Sequence, residues 1–275
     1  MVAEDRFAVL GADWTDLSQV LDPDRLAQAA SVARNLPRSA WLPLSDAAFA
    51  QPFARPGKVV CLGLNYRAHA QEGGFAVPDY PAIFLRTASS LLAAGAPIVA
   101  PHVSEKLDYE AELLVVVGKG GRYIPEAKAL SHVFGYTCFN DASVRDYQRK
   151  THQWTPGKNF DGTGALGPVI VTADELPRGA SGLRIACRLN GRTMQDASTA
   201  DMMVTVAKAV ATISEFMTLE PGDMIAMGTP QGVGHARTPP VWMKPGDTVE
   251  IEIEKIGILR NPVVAEDAAL RTAGV

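Results

Sequence analysis

Residues 108–117 read Asp-Tyr-Glu-Ala-Glu-Leu-Leu-Val-Val-Val, and this run restricts the possible folds more than any other part of the chain. Five consecutive apolar residues favour a buried strand. Residues two apart in a strand share a side, so Glu110 and Glu112 reach its mouth as a carboxylate pair. Two like charges entering an apolar strand are costly unless a positive group neutralises them. A hard divalent cation does this well, because Mg²⁺, Mn²⁺ and Ca²⁺ prefer carboxylate oxygens. The competing reading is an edge strand with its acids in water. A second apolar run, residues 133–139, leads through Asn140 to Asp141. A third carboxylate at that strand end completes an all-oxygen triad with open positions for a substrate; taken singly, such an Asp is more often a helix cap.

Short strand-like runs dominate from Lys58 onward: residues 59–62, 83–85, 113–117, 133–139, 168–171, 183–189 and 224–227. Residues 248–254 alternate cleanly, with Val249, Ile251 and Ile253 on one face and Glu250, Glu252 and Glu254 on the other, as a half-exposed strand does. Pro-Gly-Asp occurs at 221–223 and 245–247, each time leading into a strand, which reads as turn chemistry used twice. One long helix is expected over about 198–219, where Met203, Val206, Val210, Ile213 and Met217 recur at helical spacing behind a Ser198 or Thr199 cap. Many strands and few helices predict a mixed, mostly β architecture. The first 55 or so residues differ. An amphipathic helix with a small, alanine-rich face is expected over 22–34, and residues 42–56, with Pro43, Pro52 and Pro56, read as an extended linker. The expected organisation is therefore a small N-terminal domain over 1–55 and a catalytic domain over 56–275.

Apolar residues make up 47% of the chain and charged residues 20%, enough for a sizeable core. The net charge of 26 − 30 = −4 speaks against a nucleic-acid partner. No run approaches the roughly 20 apolar residues of a membrane span. The first residues carry acids and no apolar signal core, so a cytoplasmic location is expected. Cys61, Cys138 and Cys187 are far apart and lie in apolar runs, which reads as three buried, reduced thiols.

In Gly63-Leu64-Asn65-Tyr66-Arg67-Ala68-His69-Ala70-Gln71-Glu72, His69 and Glu72 are three apart. On a helical turn they share a face, and Glu72 could orient a His69 base; the bland alternative is a surface pair. Gly73-Gly74 beyond them would supply a hinge. His102, His132, His152 and His235 show no comparable partner in the sequence and read as structural or surface residues. Residues 162–167 match GxGxxG by letters alone, since no strand precedes them and Pro168 follows where a helix should run.

Together these segments resemble the fumarylacetoacetate hydrolase family, in particular its acylpyruvate hydrolase and 2-hydroxyhepta-2,4-diene-1,7-dioate isomerase-like members. The resemblance covers about Lys58 to Val264 and rests on GLNYRAHAQE (63–72), DYEAEL (108–113), GYTCFNDASVRDYQ (135–148), GKNFDGTGALGP (157–168) and GTPQGVG (228–234). It implies a β-rich roll of mixed sheets, a homodimer, and Mg²⁺ or Mn²⁺ on Glu110, Glu112 and Asp141, with Ca²⁺ as a stand-in in crystals. It further implies a His69–Glu72 base dyad on a lid and Lys158 beside the metal. Arg145, Gln148 and Thr229 would face the substrate. Many relatives have Phe-x-Lys-Pro where this chain has Phe84-Leu85-Arg86-Thr87, so Arg86 is a substrate contact that would differ.

The implied substrate is a small 2-oxo or 2,4-dioxo acid chelated by the metal. His69 would activate water, hydroxide would attack the distal carbonyl, and C–C cleavage would release an enolate. The alternatives are decarboxylation of an oxaloacetate-type acid or isomerisation at the same site, and, remotely, a non-catalytic binding protein.

Overall fold

The strand-like runs pair into two large sheets. The computed structural model describes residues 1–3, 5–11, 14, 16–53, 56–74 and 80–267. A seven-stranded mixed sheet has the order Ala82–Arg86, Val59–Gly63, Met224–Ala226, Ala111–Val117, Val133–Asp141, Gly164–Thr172, Leu91–Ala93. A five-stranded sheet has the order Arg192–Ser198, Arg184–Leu189, Thr248–Ile253, Gly257–Ala265, Ile98–Ala100. The mostly β architecture of mixed sheets is the one the sequence predicts.

All seven residues of Ala111–Val117 are buried, because both faces of the strand are covered. Ala111, Leu113, Val115 and Val117 join Ile185, Cys187, Ile251 and Ile253 of the second sheet in the main core. Leu114 and Val116 point the other way, to Cys61, Phe139, Leu166 and Met224, where Leu21 and Phe53 from the N-terminal part also pack. The alternation that puts Leu114 and Val116 on this second face puts Glu110 and Glu112 on it too.

The N-terminal helix runs Pro23–Asn35, with Asp22 as its cap accepting from the N–H groups of Asp24 and Arg25. Its buried residues are Ala29 and Ala33, as the alanine face requires. Val2–Ala3, Arg6–Ala8 and Trp41–Pro43 form a separate small sheet. The 42–56 stretch includes part of that strand and a Leu44–Asp46 turn, while residues 54 and 55 of it lie outside the described ones.

The expected 198–219 helix is shorter than its apolar stripe. Residues Arg192–Ser198 are strand, Ser198 caps a Thr199–Asp201 turn, and the α-helix spans Val206–Phe216 behind a Thr205 cap. The backbone in between is engaged elsewhere: Met203 N–H donates to Asn65 O at 2.8 Å and Val204 N–H to Asn65 Oδ1 at 2.6 Å. Those donors cannot also serve a helix, and the contact fastens the 63–66 loop in place.

Both Pro-Gly-Asp turns use one device. Asp223 Oδ2 accepts from Glu220 N–H at 2.8 Å and Asp247 Oδ2 from Lys244 N–H at 2.7 Å. Gly222 and Gly246 take φ of +89° and +95°, where a side chain would be strained.

Candidate active site

The antiparallel pairing of Ala111–Val117 with Val133–Asp141 sets Ala111 against Asn140 and Glu112 against Phe139. One step further, Asp141 N–H donates to Glu110 O at 3.0 Å. The register therefore brings the third carboxylate to the first two, and ligand oxygens of Glu110, Glu112 and Asp141 lie within 4.8 Å of one another, all buried.

Three cations surround this cluster. Lys158, at the end of the Thr155–Lys158 turn, bridges Glu110 Oε2 and Asp141 Oδ2 at 2.5 Å each. Arg145 donates from Nη2 to Glu110 at 2.6 Å, from Nε to Asp108 at 2.8 Å and from Nη1 to Gln148 at 2.9 Å. Arg86 donates from Nη1 to Asp141 Oδ1 at 2.5 Å and from Nη2 to Thr163 at 2.7 Å. Burial pushes the Glu110 carboxyl up, but Arg145 and Lys158 outweigh it and hold it below the usual range. Burial likewise pulls the Lys158 ammonium down, and Asp141 and Glu110 lift it above normal. Glu112 differs, because among the described residues only the Gly228 N–H, at 2.9 Å, donates to it. Burial, then Asp141 and Glu110, push it well above the ordinary carboxylate range.

His69 lies on the short helix Arg67–Glu72, and its Nδ1 stands 2.9 Å from Glu72 Oε1. Both Glu72 oxygens also accept from Gly232 N–H, at 3.0 and 2.9 Å. The glutamate thus ties the histidine helix to the 228–234 loop. Thr229 Oγ1 accepts from the buried Gln195 at 2.9 Å, which leaves its own O–H free to donate.

His69, Glu110, Glu112, Asp141, Arg145, Gln148, Lys158 and Thr229 all line one cavity. About 50 Å³ of it is open to water, against roughly 10–15 Å³ for one buried water, so it holds several small ligand groups. Glu72 stands behind His69. Arg86, expected at the substrate, is not among the lining residues; it grips Asp141 from behind. Two residues escaped the sequence reading. Asp108 continues the 110/112 alternation and is fully buried, a parity the sequence did offer. His235 lines the cavity and has a partner after all, Asp108.

The fumarylacetoacetate (FAA) hydrolase C-terminal family model matches residues 58–264. The chain belongs to the fumarylacetoacetate hydrolase family. Within that family it is 44% identical to the mitochondrial oxaloacetate tautomerase FAHD2A of Bos taurus, over 225 residues that span 81% of this chain and 71% of that one. Among solved structures it is similar to 2-hydroxyhepta-2,4-diene-1,7-dioate isomerase from Mycobacterium marinum, 38% identical, with TM-score 0.71 over 83% of this chain and 82% of that one. It is also similar to maleylpyruvate hydrolase from Sphingobium sp. SYK-6, solved with manganese(II) and pyruvate, 29% identical, with TM-score 0.80 over 96% and 95% of the two chains. Fumarylacetoacetate hydrolase family proteins thus include hydrolase, isomerase and tautomerase relatives of this chain. Among the described residues no helix is long and apolar enough to cross a membrane. The three cysteines are free and buried, with burial pushing their thiols up, which makes them inert.

Proposed function

We propose that this protein interconverts the keto and enol forms of a small 2-oxo diacid of the oxaloacetate type, at a divalent cation held by Glu110, Glu112 and Asp141. The observation that carries the reading is the convergence of this carboxylate cluster, Lys158 and a His69 paired with Glu72 on one cavity. The 44% identity to an oxaloacetate tautomerase supports this reaction over the others that the family's relatives carry.

The residues fit a hard cation. All three ligand groups are carboxylates, and Glu112 has no cationic partner among the described residues, so a cation held in the cluster would favour the charged form that burial, Asp141 and Glu110 disfavour. Mg²⁺ and Mn²⁺ both suit such a set, and bound there either would supply the Lewis acidity that draws electron density from a 2-oxo carboxylate.

The remaining chemistry belongs to the chain. With Nδ1–H directed at Glu72, His69 keeps Nε2 as an acceptor, the arrangement of a general base for a proton on the carbon next to the 2-oxo group. Negative charge then grows on the 2-oxo oxygen, where the Lys158 ammonium stabilises it. Returning the proton to oxygen instead of carbon yields the enol. Thr229 offers its hydroxyl to a substrate carboxylate, and Arg145 holds Gln148 in position.

C–C hydrolysis of a 2,4-dioxo acid is the second reading, favoured by the same dyad and by the likeness to maleylpyruvate hydrolase. There His69 would take its proton from water, and hydroxide would add to the distal carbonyl.

Oxaloacetate and a panel of acylpyruvates, supplied with Mg²⁺ or Mn²⁺, separate the two. Accelerated loss of the oxaloacetate enol absorbance without CO₂ release is expected. Acid release from a dioxo acid with no effect on oxaloacetate would replace the first reading by the second. We also propose a homodimer. Leu85, 48% exposed on the edge strand Ala82–Arg86 of the large sheet, belongs to an edge that a second copy would cover, and light scattering showing monomer alone at micromolar concentration would reject it.

A further inference from the structure

The 228–234 loop presses on Asp108. A Cβ added at Gly234 would lie 1.9 Å from Val241 O and 2.5 Å from Asp108 Oδ1, so only glycine allows the approach. Asp108 then accepts from Gly234 N–H at 2.7 Å and His235 N–H at 3.0 Å, while the His235 ring places Nδ1 3.2 Å from Oδ2. Arg145 holds the same Oδ2 from the other side at 2.8 Å. The imidazole orientation is thereby fixed by a fully buried carboxylate that is itself clamped.

The opposite ring nitrogen is unused. His235 Nε2 is buried and has no hydrogen-bond partner among the described residues, although the ring lines the same cavity as His69. A buried polar atom without a partner is rare and calls for an explanation. Among the described residues the fold supplies no partner for it. His235 is also no part of the carboxylate cluster.

We propose that His235 is a second substrate-contacting histidine of this site, with Nε2 accepting a hydrogen bond from a hydroxyl on the substrate chain beyond its 2-oxo carboxylate end. With Nδ1–H committed to Asp108, Nε2 carries a lone pair. It therefore favours a donor such as an alcohol or enol hydroxyl, while a second carboxylate on a diacid substrate falls to the Thr229 hydroxyl. The ligand class is a 2-oxo acid that carries a hydroxyl along its chain. This rests on the oxo-acid reading given above.

The test uses the Mn²⁺-loaded full chain and two ligands that share the chelating end, 2-oxopentanoate and 4-hydroxy-2-oxopentanoate, with affinities measured by calorimetry. Wild type should bind the hydroxylated acid tighter by roughly three- to tenfold, one neutral hydrogen bond. His235→Phe should weaken only that ligand and erase the preference, and His235→Gln, which can still accept, should keep part of it. Mn²⁺ binding by each variant reports that the site is folded; if His235→Phe fails there, His235→Gln against wild type decides. The proposal is overturned if wild type shows no preference, if His235→Phe retains it, or if both ligands weaken equally. If neither acid binds Mn²⁺-loaded wild type, the oxo-acid reading itself falls, and this inference with it.

Discussion

Glu110 and Asp141 stand opposite each other at the end of an antiparallel ladder, joined by an Asp141 N–H to Glu110 O bond of 3.0 Å and by one ammonium, Lys158, at 2.5 Å from a carboxylate oxygen of each. The backbone pairing sets the spacing of the two residues, and the shared ammonium holds their carboxylates together.

Removing one of these ligands should therefore abolish function without unfolding the protein. Asp141→Ala and treatment with a chelator are each expected to eliminate turnover, with far-UV circular dichroism unchanged. Added Mn²⁺ should restore the chelated wild type but not the variant. Normal turnover in both would show that no metal is needed.

The dyad gives a graded outcome. His69→Ala should lower the rate of proton transfer by roughly 10²- to 10⁴-fold, the usual contribution of a positioned base. Glu72→Gln should act in the same direction with a smaller loss, because it orients the ring. The double variant should lose little beyond His69→Ala, as expected of residues acting as a unit. Multiplicative losses would mean that Glu72 serves the 228–234 loop, which its bonds to Gly232 also anchor.

Arg86 is expected to act through Asp141. Its guanidinium reaches Asp141, Ala142 O, Ser90 and Thr163 at once, a fork that one ammonium cannot reproduce. Arg86→Met should weaken Mn²⁺ binding by about 10- to 100-fold, the common effect of losing a group that orients a ligand, and Arg86→Lys should fall between. A changed substrate KM with unaltered Mn²⁺ affinity would return Arg86 to a substrate role.

Glu112 predicts a pH dependence of the metal-free protein. Its folded pKa is raised by burial and by Asp141 and Glu110, so the stability it contributes is complete below the ordinary carboxylate range. That contribution is lost as pH rises through the higher folded value. In chelator, wild type should melt at lower temperature at pH 8 than at pH 5.5. Glu112→Gln should remove this component and raise the pH 8 midpoint, by about 2–4 °C for each kcal/mol regained. It should also lose the stabilisation that Mn²⁺ gives wild type. A midpoint lower than wild type at pH 8 in chelator would contradict the assignment.

The sequence by itself determined what depends on local periodicity. Spacing of two placed Glu110 and Glu112 on one side of a strand, spacing of three placed His69 and Glu72 on one face of a turn, and strand-like runs marked six strands of the seven-stranded sheet and two of the five-stranded one. These are properties of backbone geometry within a few residues. Tertiary structure decided everything that depends on register and on partners remote in the chain. The ladder that delivers Asp141 to Glu110 joins runs some 30 residues apart, and Asp108 meets His235 across 127. Arg86 turned from the expected substrate face to the back of Asp141 because Thr163 and Ser90 await its fork there. Residues 203 and 204 left the helix their periodicity describes because Asn65 offers their backbone better-placed partners. Local pattern fixes which way a side chain points from its own strand or helix, but only packing fixes what it meets.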